Sequence, residues 1–297
     1  MHELPQTRDL AVFLSVVDHG GFAEAGRFLN SAPSTLSRTV SRLEAELGVT
    51  LLRRSTQAIE LTPEGRDLMQ AAREIVSRAE GLTELATQSR APRGPLRVDA
   101  PVPFVLHGIA PRLCGFHLRY PEIDLTLDMN DAVVDLFGSH ADVAIRFGPL
   151  RDSRMLRRRL GQTGWTLVGA PSYLDRHGYP ERPEDLADFG QVRFAAPEHI
   201  NDLRFKGVPE LVRPRPIVTA TNGEAVRQLV IAGLGIARFS DFMVADDLAA
   251  GRLVPLFPEA LEADPLDITA LYLTRASGLR RLAVFLDWLE EILRPAT

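Results

Sequence analysis

The chain has 297 residues, 45% of them hydrophobic, and a formal net charge of −5 at pH 7. This length suffices for a sizeable core and suggests two or three domains. No segment approaches the roughly 20 uninterrupted apolar residues of a membrane-spanning helix, and the first residues lack the features of a signal peptide. We therefore expect a cytoplasmic protein with no membrane partner. Cys114 is the single cysteine, which excludes an internal disulfide and a cysteine-rich metal site. We expect Cys114 to pack within a helix.

Two short helices are predicted near the start of the chain. In the first, DLAVFLSVVD, apolar residues recur on one face, and Gly20 and Gly21 end the helix. The second, AEAGRFLN, ends at Asn30, a residue type that tolerates the left-handed backbone conformation. The tight breaks between these patterns are typical of a small helical domain.

A third helix is predicted for PSTLSRTVSRLEAEL, residues 33–47. Its apolar residues recur at i, i+4, i+7 and i+11 and form one narrow stripe: Leu36, Val40, Leu43 and Leu47. The opposite face carries short hydroxyl residues and arginines. A solvated face is the ordinary explanation, but such faces usually carry Glu and Lys, which favour helices more than Ser and Thr do. Hydroxyl groups and arginines suit close contact with the phosphates and base edges of DNA. The candidate DNA contacts here are Pro33, Ser34, Thr35, Ser37, Arg38, Ser41 and Arg42.

A basic hairpin follows the third helix. The segment VTLLRRSTQAIELT reads as two short strands around a polar turn at 55–58, with Arg53 and Arg54 at its base. Between residues 27 and 58 there are five arginines and two glutamates, although the whole chain is acidic. A helix-turn-helix with such a hairpin predicts a winged helix. The third helix then enters the major groove, and Arg53 and Arg54 contact the DNA backbone or minor groove.

The N-terminal part carries several short motifs at fixed spacings: Ser37-Arg38, Leu43-Glu44, Leu47-Gly48, Arg54 and Leu61-Thr62-Pro63-x-Gly65. At these positions the chain resembles LysR-type transcriptional regulators, and the resemblance extends over essentially all of it. It implies a sequence-specific regulator that binds double-stranded promoter or operator DNA and a small-molecule effector, with RNA polymerase as a further candidate partner. Ala32 departs from the family pattern, because it leaves the third helix without its usual hydroxyl cap.

A long helix is predicted from Pro63 to about Ser89, since Thr62 and Pro63 form a good helix start. Apolar residues on it alternate at spacings of four and three, as in a heptad seam: Leu68, Ala72, Ile75, Ala79, Leu82 and Ala86. This stripe either packs against its own domain or pairs with the same helix of a second subunit. We expect pairing, because a helix between two domains has little else to cover such a stripe. The resemblance likewise implies a homodimer or a homotetramer.

The rest of the chain predicts an α/β fold. After the helix breaker APRGP, helical segments alternate with strand-like ones: LRVDA, IDLTLDM, ADVAIRFG, WTLVGA, PIVTA and LDITALYLT. We therefore expect a winged helix-turn-helix domain at 1–62, a linker and dimerisation helix at 63–90 and an effector-binding domain at 91–297. The resemblance implies two lobes in that last domain, as in type 2 periplasmic binding proteins, with the chain crossing near 168 and returning near 271.

Ligand contacts are expected where these strands end, because open α/β sheets bind small molecules at the carboxyl ends of strands and between lobes. The candidate effector contacts are Pro101, Val102, Pro103, Phe104, Asn130, Arg146, Thr221, Asn222 and Gly223. A helix start near Asn222 and a cation at Arg146 suit a carboxylate, and the apolar residues are consistent with an aromatic or small organic acid. Two structural alternatives stay open: an ion pair of Arg146 with Asp131 or Asp142, and a helix-cap role for Asn222.

Enzyme motifs are missing from the sequence. It contains no G-x-S-x-G elbow, no phosphate loop that ends in Lys and no His-x-x-x-His pair. His107 and His117 lie nearly three turns apart on one predicted helix, too far to share a metal ion. We expect neither enzymatic activity nor a cofactor or metal. The alternative function is a small-molecule carrier or enzyme whose N-terminal part serves only for oligomerisation, and the Ser and Arg face of the third helix argues against it.

Overall fold

A computed structural model of the protein describes residues 4–54, 59–86, 91–131, 141–150, 155–272 and 279–294. The chain divides between Arg90 and Ala91 into two units, each with its own buried residues. Within the ranges above, no helix is both long and apolar enough to cross a membrane.

The first unit contains three short helices, a hairpin and a long fourth helix. Apolar faces of the helices form its core, where Phe13, Leu36 and Leu43 are at most 2% exposed. Asn30 has a φ of 48° after the second helix, as the sequence predicted. The elements are α1 Thr7–Asp18, α2 Phe22–Phe28, α3 Pro33–Leu47, β1 Leu52–Arg54, β2 Ile59–Leu61 and α4 Pro63–Ala86.

Helix α4 begins as its sequence predicts. The Thr62 hydroxyl accepts a hydrogen bond from the Gly65 N–H at 2.8 Å, and Pro63 is the first helical residue. The same hydroxyl donates to the Thr50 carbonyl oxygen at 2.6 Å. Position 65 requires glycine, because a Cβ there would lie 2.2 Å from the Leu51 carbonyl oxygen. These contacts join the start of α4 to the segment that leads into the hairpin.

The second unit consists of two lobes, each built on a five-stranded sheet. The strands of lobe 1 are β3 Gly94–Ala100, β4 Ile123–Met129, β5 Val143–Phe147, β6 Leu156–Thr163 and β12 Leu266–Tyr272. The strands of lobe 2 are β7 Trp165–Gly169, β8 Gly190–Phe194, β9 Arg215–Ala220, β10 Ile236–Ser240 and β11 Val254–Pro255. Lobe 1 has the order β4-β3-β5-β12-β6, with β3 parallel to both neighbours. Lobe 2 has the order β11-β7-β10-β8-β9, with β8 parallel to both neighbours.

The helices of this unit are α5 Leu113–Arg119, α6 Pro171–His177, α7 Gly223–Ile231, α8 Asp241–Ala249 and α9 Arg280–Leu293. The helical segment that carries His107 and His117, predicted for PFVLHGIAPRLCGFHLRYP at 103–121, is not one continuous helix: Phe104–Ile109 is π-helical and Ala110–Arg112 is a 3₁₀ turn. Pro111 explains the break, because proline lacks the N–H that a continuous helix needs. Cys114 is exposed on α5, so its expected packing role is also wrong. Phe116 forms the buried side of α5, with its ring centroid 5.4 Å from that of Phe285 on α9.

The chain crosses between the lobes at slightly different places from those expected. It leaves lobe 1 at Gly164, between β6 and β7, rather than near 168, and it returns between β11 and β12 rather than near 271. The strand β6, LRRRLGQT, escaped prediction because its arginines interrupt the apolar alternation. Acidic side chains hold two of them: Arg158 donates to Glu290 at 2.7 Å, and Arg159 donates to Asp267 at 2.8 Å.

Candidate functional site

The outward face of α3 is open to solvent, as its sequence pattern predicts. Ser34, Arg38 and Ser41 are exposed and Ser37 is half-buried, on the side opposite the buried apolar stripe. Arg38 makes one weak contact, from its Nε to the Ser34 carbonyl oxygen at 3.3 Å. Among the described residues, no carboxylate pairs with it. The arrangement presents hydroxyl groups and a free guanidinium on one side of a rigid helix.

The start of α3 has no side-chain cap. Ala32 is extended, with φ −64° and ψ 135°, and Pro33 is the first helical residue. The Thr35 N–H donates to the Ala32 carbonyl oxygen at 2.9 Å. Pro33 has no N–H, so Ser34 carries the first-turn N–H that finds no acceptor in the described part of the chain. One backbone donor therefore remains available at this helix end.

Arg42 is held by a buried acid, which the sequence did not reveal. Its Nε donates to Asp9 Oδ2 at 3.0 Å and its Nη2 donates to Asp9 Oδ1 at 2.7 Å. Asp9 lies on α1 and is 1% exposed, whereas the Arg42 side chain is 55% exposed. The hydrogen bond to Asp9 and the charge of that residue raise the pKa of Arg42 above its ordinary value. Arg42 thus fixes α3 to α1 while part of its guanidinium faces solvent.

The hairpin is positioned by Glu44, whose carboxylate accepts hydrogen bonds from the N–H groups of Leu51 and Leu52 at 2.8 and 3.1 Å. Arg53 is exposed on β1 and pairs in register with Glu60 on β2. The predicted turn at 55–58 and the side chain of Arg54 lie outside the described residues. The acid of the Leu43-Glu44 motif therefore joins the third helix to the hairpin.

The apolar stripe on α4 divides into two parts. Leu68 and Ala72 pack into the core of their own domain, where Ala72 is 3% exposed. Further along, Ile75 is 46% exposed, Leu82 is 69% exposed and Ala79 is half-buried. The side chain of Ala86 lies outside the described residues. Leu68 and Ala72 therefore pack against their own domain, which was one of the two alternatives for this stripe. The exposed part of the stripe begins at Ile75.

The lobe 1 side of the cleft is organised by Asp99, a residue at 1% exposure. One carboxylate oxygen accepts a hydrogen bond from Arg146, and the other accepts one from the side-chain amide of Asn130. Arg146 is itself only 6% exposed and also donates to the Ile145 carbonyl oxygen at 2.8 Å. The ion-pair alternative for Arg146 is therefore the observed one, but its partner is Asp99 rather than Asp131 or Asp142. Arg146 is thus enclosed and paired, while Asn130 is half-buried with its side-chain nitrogen engaged by Asp99.

Phe104 is enclosed rather than available to a ligand, which corrects its expected role. Its ring is 0% exposed and stands edge-on to Phe147 of β5 and Phe242 of α8, at centroid distances of 5.3 and 5.5 Å. Pro103 and Gly223 are also buried, and a Cβ on Gly223 would lie 2.9 Å from Pro103 Cγ. The two lobes therefore touch at these residues.

Asp131 bridges the two lobes at the rim of the cleft. Its Oδ1 accepts a hydrogen bond from the Val102 N–H at 3.0 Å, and its Oδ2 accepts one from the Asn222 side-chain amide at 2.7 Å. The Asn222 side-chain oxygen accepts from the Ala225 N–H at 3.1 Å, so the cap alternative for Asn222 is observed. Thr221 is exposed beside it, and Pro101 is half-buried. The Asp131 carboxylate therefore already engages a backbone N–H and a side-chain amide at two of the expected effector contacts, Val102 and Asn222.

A second bridge lies between His107 of lobe 1 and Glu224 of α7, with 2.7 Å between Nε2 and Oε2. Burial tends to raise the pKa of Glu224, but hydrogen bonds from Gln228 and His107 and the charge of Arg227 outweigh it and lower the pKa. Glu224 is thus held as an anion against lobe 1. Sequence reasoning missed this pair because its members are 117 positions apart.

Two family models match the chain. The bacterial regulatory helix-turn-helix protein, lysR family, matches residues 7–66, and the LysR substrate binding domain matches residues 89–294. The chain belongs to the LysR family. It is a transcriptional regulator with a DNA-binding and an effector-binding domain, and it is not an enzyme. Regulators of this family bind DNA and small-molecule effectors and form oligomers.

LysR-family relatives are similar to the chain over most of its length. The HTH-type transcriptional regulator CrgA of Neisseria meningitidis serogroup C is 38% identical over 289 residues, covering 96% of each chain. The solved structure of CrgA has a TM-score of 0.66 at 36% identity, covering 98% of this chain and 99% of that one. The full-length virulence activator AphB of Vibrio cholerae has a TM-score of 0.58 at 27% identity, covering 96% and 98%.

We predict that Asp99→Ala destabilises the second unit by about 3–5 kcal/mol, because it leaves the buried guanidinium of Arg146 without an anion. Urea unfolding followed through Trp165 and Trp288, both in this unit, measures the change. Asp128→Ala is the matched control: Asp128 pairs with Asp99 in the sheet register but is 36% exposed and contacts Arg97 at 3.5 Å. Asp128→Ala should lower the free energy of unfolding by less than about 1 kcal/mol. Equal losses in the two variants would contradict the role given to Asp99.

Proposed function

We propose that the exposed face of α3 reads operator DNA, with Arg38 as its base-reading residue. The observation that carries this proposal is the division of α3 into a buried apolar stripe and an open face of hydroxyl groups and a free guanidinium. An arginine without an acidic partner can fork onto the O6 and N7 atoms of guanine. The hydroxyl residues around it suit phosphate or base contacts at short range. The proposed contacts on this helix are Pro33, Ser34, Thr35, Ser37, Ser41 and Arg42.

Three further groups near Arg38 support contact with the phosphates of DNA. The unpaired N–H of Ser34 lies at the positive end of α3, where a phosphate oxygen is a favourable acceptor. Arg42 keeps its Nη1 free of described partners while Asp9 holds the rest of its guanidinium. Arg53 is exposed on the hairpin, and Arg54 is proposed beside it from sequence alone. These contacts would set the position of α3 on the duplex without reading sequence.

We predict that Arg38→Ala weakens binding to the chain's own promoter region by about 10- to 100-fold and relaxes its sequence preference, since a forked guanine contact is worth roughly 1–3 kcal/mol. Gel-shift titrations at several salt concentrations measure both effects. Arg78→Ala, which removes an exposed arginine from α4, is the control and should leave the affinity unchanged. An Arg38→Ala protein with the original affinity and preference would refute the reader role.

We also propose that α4 pairs with the same helix of a second subunit through Ile75, Ala79, Leu82 and Ala86. Two large side chains, at 46% and 69% exposure, stand on one side of a 24-residue helix. Apolar side chains spaced by three and four residues favour a coiled-coil contact. Leu68 and Ala72 then join the pairing region to the DNA-binding core. Whether two such dimers combine into a tetramer depends on other surfaces.

We predict that Ile75→Asp yields monomers in sedimentation velocity, because it places an unpaired charge in the middle of the exposed stripe. Arg66→Asp puts an acid at an exposed position of the same helix, about 180° away around it, and should leave the dimer intact. A dimer that survives Ile75→Asp would contradict pairing through this stripe.

For the effector, we propose a small organic acid that binds between the lobes at the ends of β3 and β9. The support is the position of Asp131, whose carboxylate accepts hydrogen bonds from the Val102 N–H and the Asn222 amide. An effector carboxylate would use these same donors, with the exposed Thr221 hydroxyl beside them. Asp131 would then compete with the effector for its site. Of the expected contacts, this proposal keeps Val102, Thr221 and Asn222 and leaves out Phe104 and Arg146.

We predict that Asp131→Ala binds benzoate at least about tenfold more tightly than the unmodified chain, because the change frees two donors and removes a like charge. Isothermal titration calorimetry at constant ionic strength measures the affinity, with acetate as a smaller probe. Asp124→Ala removes the same charge from an exposed position on β4 and should not change the affinity. Identical benzoate affinities in the two variants would argue against a carboxylate site at Asp131.

The remaining proposals rest on the family resemblance and on DNA as the partner. We propose the domain division 1–62, 63–90 and 91–297, which falls close to the ends of the two matched family models. A regulator that reads promoter DNA acts in the cytoplasm. RNA polymerase is a proposed partner on the resemblance alone.

A further inference from the structure

Lobe 2 contains a cavity of about 750 Å³ that is separate from the cleft between the lobes. We call it the β8 cavity, and its polar lining consists of Gln191, Arg193, Glu198, His199, Asn201, Asp202, Arg213 and Arg215. None of the candidate effector contacts at 101–104, 130, 146 or 221–223 lines it. A volume of this size lies within the range of small-molecule sites, roughly 300–1,000 Å³.

Two arginines at the cavity are free of acidic partners. Arg213 and Arg215 are exposed, and neither guanidinium makes a hydrogen bond or ion pair with a described residue. They stand two positions apart on extended backbone, so their Cα atoms lie about 6.6 Å apart on one side of the chain. Pro214 and Pro216 alternate with them and restrict the backbone at these positions. The backbone that carries the two arginines is therefore restricted before any ligand binds.

A third arginine, Arg193, is only weakly held by the protein. Its Nη2 lies 3.3 Å from Oε1 of Glu198, a residue whose side chain is 83% exposed. Its Nε is enclosed and finds no acceptor among the described residues. By contrast, Gln191 and Asn201 are well fixed, because the Gln191 amide donates to the Asn201 carbonyl oxygen at 2.9 Å. The cavity therefore combines a rigid polar wall with an arginine that lacks a strong partner.

A fourth cation stands beside Arg193 inside the lobe. The register that pairs Ile236 with Gln191 puts Arg238 next to Arg193 on the same face of the sheet. Arg238 is 5% exposed and stacks on Trp165 with its Cζ 4.4 Å from the ring centroid. The Arg238 Nε has no hydrogen-bond partner in the described part of the chain. Burial lowers the pKa of Arg238, although the negative charges of Asp264 and Asp202 act to raise it. The cavity lining thus holds three arginines against two acids, Glu198 and Asp202, which gives it a formal charge of +1 in a chain that carries −5.

We propose that the β8 cavity is a second ligand site, which binds a small multivalent oxyanion such as a phosphorylated or polycarboxylic metabolite through Arg193, Arg213 and Arg215. Arginine forks bind carboxylate and phosphate groups with two parallel hydrogen bonds, and several groups on one ligand would engage the three arginines together. The regulator would then receive a second chemical signal, independent of the effector in the cleft.

Isothermal titration calorimetry on the full-length chain tests this site, with citrate and inorganic phosphate as probes and sodium chloride keeping the ionic strength constant. We expect saturable citrate binding that weakens at least tenfold in the double variant Arg213→Ala/Arg215→Ala. The double variant Arg213→Lys/Arg215→Lys keeps the charge without the fork and should bind with intermediate affinity. Arg182→Ala, an exposed arginine of the same lobe, and Asn222→Ala, in the cleft, should bind citrate as the unmodified chain does.

A second measurement on the unmodified chain makes the test independent of how the variants fold. In hydrogen–deuterium exchange, citrate should protect peptides within 190–216 and leave those at 101–104 and 221–223 unchanged. Citrate and phosphate that both fail to bind saturably would overturn the proposal. Unchanged citrate affinity in the double alanine variant would also overturn it. The same holds if Arg182→Ala lowers the citrate affinity as much as the double variant does, or if Asn222→Ala lowers it. Protection confined to the cleft peptides would assign citrate to the effector site and refute a separate one.

Discussion

The buried pair of Arg146 with Asp99 is the interaction on which the ligand-facing edge of lobe 1 depends. A guanidinium at 6% exposure is costly without an anion, and Asp99 supplies one while its second oxygen holds Asn130. The pair thereby joins the ends of three neighbouring strands, β4, β3 and β5. With these polar groups occupied, the effector site that we propose uses the groups at the rim of the cleft, Val102 and Asn222.

The same device recurs at the DNA-binding surface. Asp9 holds Arg42 across 33 positions of sequence, and Glu44 holds two backbone N–H groups at the start of the hairpin. Asp9 thereby fixes the position of α3, and Glu44 fixes the position of the hairpin. Among the described residues, no acid holds Arg38. In the function that we propose, Arg42 therefore positions α3 and Arg38 contacts the bases.

Local spacing accounts for what the sequence predicted well. The two faces of α3, the Thr62 start of α4 and six of the strands follow from periodicities and caps that involve only near neighbours. The predictions that were wrong concern residues whose partners lie far away in the sequence. Leu68 fits both a heptad seam and its own core, and spacing cannot distinguish the two. Phe104 follows a strand end, as a ligand contact would, but Phe147 and Phe242 from two other elements enclose it.

Those three rings also make the strength of the contact between the lobes depend on temperature. Phe104 and Phe147 belong to lobe 1 and Phe242 belongs to lobe 2, so opening the cleft far enough to part them would expose aromatic surface to water. The free energy gained by covering apolar surface declines on cooling, because its hydration has a large heat capacity. The contact between the lobes at these rings is therefore weaker in the cold, and the hydrogen bonds of Asp131 and Glu224 between the lobes then carry a larger share of it.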